Sequence, residues 1–245
     1  MFSLSVMEEK YLEEAYDKGS KNYLFSRTEG KERMGFQNRE MEQPNMFKLV
    51  PLDLKGKKLL DLGCGPGIHI KKYVERGAEC FGIDLSNEMI SLAKDYCPQA
   101  NFEKGNIYDL KFEDDSFDII TASFVIDHVK DLDKGVAEIK RVLRKGGLFI
   151  FSIPHPINEM FRDSKKGTFI PSHSYYDTET AYHNIAGAGF KFPSFPRTLN
   201  TYFDTFLKDF SLIEFRENKI KESWAEVELM FVKFPHLAFF VWKKN

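Results

Sequence analysis

Cysteine is scarce in this 245-residue chain, and so is any imbalance of charge. Cys64, Cys80 and Cys97 are the only three, their spacing fits no zinc site, and an odd count builds no disulfide framework. A reduced, cytoplasmic setting is the expectation that follows. A formal net charge of −2 and a pI near 6.3 provide none of the basic field that nucleic acid or an anionic membrane selects. No apolar run approaches bilayer-spanning length, and Glu8, Glu9 and Lys10 fall where a secretory leader would need its apolar core. No acidic cluster with a histidine marks a metal site. Phenylalanine, by contrast, is abundant at 24 residues. The length suits one large α/β domain with a decorated end, or two small domains, and a monomer or homodimer is the expected state.

The regular part begins at Lys57. Lys58 to Leu62 reads as a strand ending in an acid, and Gly63, Gly65 and Gly67 follow at alternate positions. Ile68 to Arg76 reads as a helix closed by Gly77. Glu79 to Asp84 is a second strand, and Ser86 sits at the N-cap of a helix that Pro98 ends. Asn101 to Lys104 and Phe117 to Ser123 are strands three and four. Asp131 caps a helix whose basic last turn, Lys140 to Lys145, suits the negative helix end. Gly146 and Gly147 stop it before a fifth strand, Leu148 to Ile153. Strands alternating with helices imply a doubly wound, mostly parallel sheet.

The flanks are less regular. Residues 1–50 read as a helical flap, with Glu8 to Tyr16 helical, Gly19, Gly30 and Gly35 breaking the rest, and Pro44 starting a short helix. Tyr23 and Asn38 are possible ligand contacts there. Residues 51–154 form the ligand-binding core. Residues 155–198, rich in Gly, Pro, Ser and aromatics, read as a lid or substrate insertion; Tyr175, Tyr176, Tyr182 and His183 are its candidates for ligand contact. Residues 199–245 complete the domain with Leu199 to Lys208 as a helix and strands at Phe210 to Arg216 and Leu237 to Trp242.

Spacing sorts the ligands of the glycine turn. A dinucleotide fingerprint needs its third glycine at i+5, whereas Gly67 is at i+4, which disfavours a nicotinamide oxidoreductase. Asp84, ending strand two, is placed to accept ribose hydroxyls. S-adenosylmethionine (SAM) suits the whole set: a carboxylate for the turn N–H groups, an ammonium for Asp61, and a diol for Asp84. Leu85 and Met89 are candidate apolar walls, and Asn106 and Ile107 are candidates for the adenine edge and face. A diphosphate would instead meet Asp61 acid against anion.

The runs LLDLGCGPG, GIDLSNEMISLAK, GNIYDLKFEDDSFDIITASFVIDHVKD and IKRVLRKGGLFIFSIPHP together resemble the class I SAM-dependent methyltransferases. They are closest to the group holding the ubiquinone- and menaquinone-type enzymes and many small-molecule methyltransferases. The resemblance implies a Rossmann-like seven-stranded sheet with an antiparallel last strand. It implies cofactor contacts at Asp61, Gly63, Cys64, Gly65, Gly67, Asp84, Leu85, Met89, Asn106, Ile107 and Ser123. Asn106 departs from the Asp of many relatives, though its amide carbonyl can still accept from the adenine amine.

Transfer from a sulfonium needs alignment and, for some acceptors, a base. His155, after strand five at the carboxyl edge of the sheet, is one candidate, and His128, beyond strand four, is the other. Strand four leads into Ala122-Ser123-Phe124-Val125, not the Asn/Asp-Pro-Pro-aromatic run of enzymes acting on base amines. The expected function is methyl transfer to a small molecule at O, N or C. The competing reading is a protein that binds SAM or its demethylated product without transfer.

Overall fold

The computed structural model describes residues 4–29, 37–161, 171–184, 191–218 and 234–245. Phe169, Phe190, Gly30, Gly35 and the side chain of His183 lie outside the described residues. Seven strands form one sheet: β1 (Lys58–Leu62), β2 (Glu79–Asp84), β3 (Asn101–Lys104), β4 (Phe117–Ser123), β5 (Leu143–Pro154), β8 (Phe210–Glu217) and β9 (Leu237–Lys244). Their order is β3-β2-β1-β4-β5-β9-β8. The order reverses between β1 and β4, which opens a crevice at the carboxyl ends of those strands. β9 pairs antiparallel with both β5 and β8, so the last strand is antiparallel and sits inside the sheet. β6 (Ala181–Asn184) and β7 (Lys191–Ser194) form a separate antiparallel ribbon within the insertion after β5.

Helices cover both faces. On one lie α2 (Gln43–Leu49), α3 (Ile68–Glu75) and α4 (Asn87–Tyr96), packed over Leu59, Ile119, Ile150 and Phe239. On the other lie α5 (Leu132–Val142) and α6 (Leu199–Phe206), over Leu60, Ile120, Phe151 and Phe240. Alternation along β5 and β9 sends Phe149, Phe151, Phe240 and Trp242 to this second face, where Phe206 stacks on Trp242 with ring centres 5.3 Å apart. Part of the phenylalanine surplus is therefore core. The caps are as expected: Ser86 accepts the Met89 N–H at 3.0 Å and Asp131 that of Lys134 at 3.0 Å. Among the described residues no helix is long and apolar enough to cross a membrane.

Two expectations need correction. The helix before β5 ends at Val142, not at the glycines, because Leu143 is already extended and pairs with Phe117 in the buried sheet. Arg144 and Lys145 thus belong to the strand. The flap is not broken at Gly19 either: α1 (Leu4–Thr28) runs through it as one helix. Leu12, Ala15 and Gly19 are buried along one stripe, so tertiary packing outweighs the cost of roughly 1 kcal/mol for a mid-helix glycine.

Phe240→Ala should lower unfolding free energy by about 3–5 kcal/mol, and Leu52→Ala, at a site 80% exposed, by less than about 0.5 kcal/mol. Urea titrations of both variants check the contrast.

Candidate functional site

The chain leaves β1 through a left-handed turn, with φ of +61° at Gly63, +50° at Gly65 and +81° at Gly67. A Cβ on Gly63 would lie 2.4 Å from Val125 Cγ2, so backbone and side chain are in direct contact there. The turn closes on itself. The Cys64 N–H donates to the Ile83 carbonyl at 2.9 Å, the Gly67 N–H to the Cys64 carbonyl at 3.0 Å, and the Gly65 N–H to Asp84 Oδ2 at 2.9 Å. Pro66 has no N–H. Three of the donors expected to receive a ligand carboxylate, at Cys64, Gly65 and Gly67, are therefore bonded within the protein.

Asp84 is anchored from both sides, with Oδ1 accepting the Ser86 N–H at 2.9 Å. Burial pushes its pKa up to about 6 despite those N–H groups, and Asp17 adds to the rise. Each carboxylate oxygen keeps acceptor capacity toward a cavity of about 980 Å³ including its open mouth. That size accommodates a nucleoside-sized ligand. Gly63, Gly65, Asp84, Leu85, Met89, Asn106, Ile107, Ser123 and His128 all line it. Sequence reasoning placed these together. Asn106 Oδ1 accepts the Tyr108 N–H at 3.0 Å and its Nδ2 donates to Glu9 at 2.8 Å, which fixes the amide orientation.

Glu9 belongs to α1, and α1 is the roof. Glu9, Leu12, Tyr16 and Tyr23 face the cavity from above. Ser86 Oγ donates to Asp17 at 2.6 Å and Lys104 pairs with Glu13, which ties the helix to the β2 and β3 ends. Glu9, Leu12 and Tyr16 were not expected at the site, although Leu12, Ala15, Gly19 and Tyr23 at i, i+3, i+7 and i+11 carry the signal of a helix face. Phe195, just after β7, completes the wall, and Phe192 of β7 lies 6.2 Å from the Tyr16 ring.

Asp61, Cys64, Gly67 and His155 lie outside the cavity wall. Asp61 is buried behind the turn, accepting from Thr121 Oγ1 at 2.6 Å, and burial lifts its pKa to about 6 although His69 and Thr121 oppose the rise. Burial likewise pushes the Cys64 thiol up, and that side chain packs beneath Gly82. Gly67 lets α3 pack closely, since a Cβ there would meet the Phe102 ring at 3.2 Å. His155 is 5% exposed, with Nδ1 accepting the Ile157 N–H at 3.2 Å and Nε2 donating to Glu217 at 2.8 Å. Both ring nitrogens are spent, bridging the end of β5 to the end of β8 past the start of β9. Burial lowers the His155 pKa while Glu217 pulls the other way. Tyr175 accepts the Leu199 N–H at 3.0 Å, Tyr176 and Tyr182 are exposed, and none of the three lines the cavity.

His128 is arranged differently. Its Nδ1 lies 2.6 Å from the Pro193 carbonyl, which only accepts, so Nδ1 carries the proton. In the neutral ring Nε2 keeps its lone pair, and it lies 3.6 Å from Asp127 Oδ2, close enough to pair with that carboxylate once protonated. The ring is held edge-on against Phe192 at 4.9 Å.

Beside Ser123 lies a buried acid that the sequence pattern did not signal. Glu42, with no solvent exposure, accepts from Ser123 Oγ at 2.7 Å, Ser152 Oγ at 2.9 Å and His69 Nε2 at 3.1 Å. Burial alone would raise its pKa, but His69, Arg27 and Ser123 together hold it down to about 2. Among the described residues no group of three or more His, Cys, Asp or Glu side chains is placed to hold a metal ion. Because the folded pKa of Glu42 lies below its unfolded value, its contribution is full above about pH 5 and is lost as pH falls toward 2. Glu42→Gln should therefore cost about 3 kcal/mol at pH 7 and clearly less at pH 3, measured by urea unfolding at both.

The family profile described as "Methyltransferase domain" matches residues 60–151. An uncharacterized protein of Haemophilus influenzae is 38% identical over 138 residues, covering 53% of this chain and 54% of that protein. A demethylmenaquinone methyltransferase of Paenarthrobacter aurescens is 34% identical, covering 46% and 45%. The chain thus spans about half the length of the curated relatives it matches. Among solved structures, one from Listeria monocytogenes, assigned as a SAM-dependent methyltransferase, superposes with a TM-score of 0.72. It is 26% identical, covering 83% of this chain and 96% of that one. Residues 60–151 thus form a methyltransferase domain of the class I SAM-dependent kind.

Proposed function

We propose that this chain transfers a methyl group from SAM to a small, partly aromatic molecule. One observation carries the reading: a single cavity beneath α1 is lined both by Asp84, anchored by two backbone N–H groups, and by His128, whose Nδ1 is held by the Pro193 carbonyl. The residues present fit the cofactor. Asp84 would hold the ribose hydroxyls, Leu85, Met89 and Ile107 the purine faces, and Asn106 with Glu9 the adenine amine. Bound there, SAM supplies an electrophilic methyl carbon on a good leaving group.

The rest is done by the chain. Tyr16 and Phe195 line the cavity with rings that suit a planar acceptor, Phe192 packs behind Tyr16, and burial keeps the Tyr16 phenol neutral by raising its pKa well above the usual value. His128 Nε2 takes the acceptor proton as the bond to the methyl group forms, and Pro193 steadies the resulting imidazolium through Nδ1. His155 ties β5 to β8 and stays apart from the chemistry.

Calorimetry should show binding of SAM and S-adenosylhomocysteine and none of NAD. Affinity should rise as pH passes through about 6, because the ionised Asp84 accepts the diol and its proton must leave first. Asp84→Asn should weaken binding by roughly 10- to 100-fold and flatten that pH dependence. NAD binding in place of SAM would sink the proposal. In methyl-transfer assays over phenols, amines and quinol precursors, His128→Gln should lower kcat by roughly 10²- to 10⁴-fold while S-adenosylhomocysteine affinity stays unchanged. Cofactor binding without turnover on any acceptor would instead leave a binding protein.

A further inference from the structure

The glycine turn leaves an account unsettled. SAM ends in an amino acid whose carboxylate needs donors, yet the Cys64, Gly65 and Gly67 N–H groups are bonded inside the protein. A cationic receptor would hold it more strongly than the few backbone N–H groups that remain.

Arg27, in the last turn of α1, is 6% exposed. A guanidinium has five N–H donors. Nη1 donates to the amide oxygen of Asn38, and Nη2 reaches Ser123 Oγ only at 3.4 Å. Nε is buried with no partner, and no carboxylate lies within ion-pair distance of Arg27 among the described residues. Glu42 feels its charge but takes its hydrogen bonds from His69, Ser123 and Ser152. A buried cation with unspent donors is costly unless something completes it.

Its position says what completes it. The guanidinium lies 5.2 Å from the centre of the Tyr23 ring, and that ring covers Gly65, where a Cβ would meet it at 3.6 Å. Tyr23 and Ser123 both line the cavity, and Arg27 touches both from behind its wall. We propose that Arg27 receives the carboxylate of the cofactor's amino-acid end, so that the roof helix itself recognises the ligand. This rests on the SAM reading above. Arg27 is a cofactor-binding residue in this assignment, with Asn38 and Tyr23 positioning it.

The test compares two ligands that differ only in the carboxylate. Wild-type protein should bind S-adenosylhomocysteine roughly 10- to 100-fold more tightly than its decarboxylated analogue, by calorimetry, as a charge-assisted fork requires. In Arg27→Gln that preference should collapse, with affinity for the decarboxylated analogue unchanged and circular dichroism confirming the fold. Arg27→Lys should restore part of the preference. Equal loss for both ligands in Arg27→Gln would assign the residue a structural role and overturn the proposal. So would a wild type that does not distinguish the two, an outcome that needs no variant to fold. Failure of wild type to bind either nucleoside would instead remove the SAM reading, and this assignment with it.

Discussion

A buried carboxylate fastens the amino-terminal segment to the sheet. Glu42 accepts from β4 through Ser123, from β5 through Ser152 and from α3 through His69, while Arg27 of α1 donates to Ser123 from the other side. Five parts of the chain meet at that point. An acid without solvent is tolerable only when such donors compensate its lost hydration. The consequence is geometric: the roof helix and the carboxyl edge of the sheet are locked in register. The cavity exists because that register holds them apart at one end and together at the other.

Much of this architecture is legible in residues near one another in sequence. β2, β3 and β4 begin and end where alternation and glycine place them, and the Ser86 and Asp131 caps follow from local hydrogen-bond chemistry. The nucleoside end of the site is legible for the same reason, since Asp84, Leu85, Met89, Asn106 and Ile107 each follow a strand end. What escapes is whatever depends on partners distant in the chain. Glu42 reads as one more charge in a charged stretch until β4 and β5 supply its hydroxyls. Asp61 reads as a ligand acid, yet Thr121 of the neighbouring strand consumes it. His155 reads as a base at the sheet edge, yet Glu217 lies 62 residues away and claims its proton.

The aromatic surplus divides along the same line. Phe149, Phe151, Phe206, Phe240 and Trp242 stack between β5, β9 and α6, a core that the strand periodicity announces. Tyr16 and Tyr23 of α1 and Phe192 and Phe195 of the β7 segment come from two distant stretches of the chain, and Tyr16, Tyr23 and Phe195 line the cavity while Phe192 packs beside Tyr16. Ring–ring contact is the same physics in both places. In the core it fixes the sheet against its helices; over the cavity it shapes the wall of a ligand site.

The position of β9 has a further consequence. Running antiparallel between β5 and β8, it brings Lys243 beside Leu148, midway along β5, and Leu237 beside Pro154 at its end. Asn245 therefore leaves from the rim of the sheet opposite the cavity, while α1 crosses the cavity rim itself. A probe attached near α1 would report on the site, and one attached at Asn245 would leave it undisturbed. The molecule has a working end and a handle.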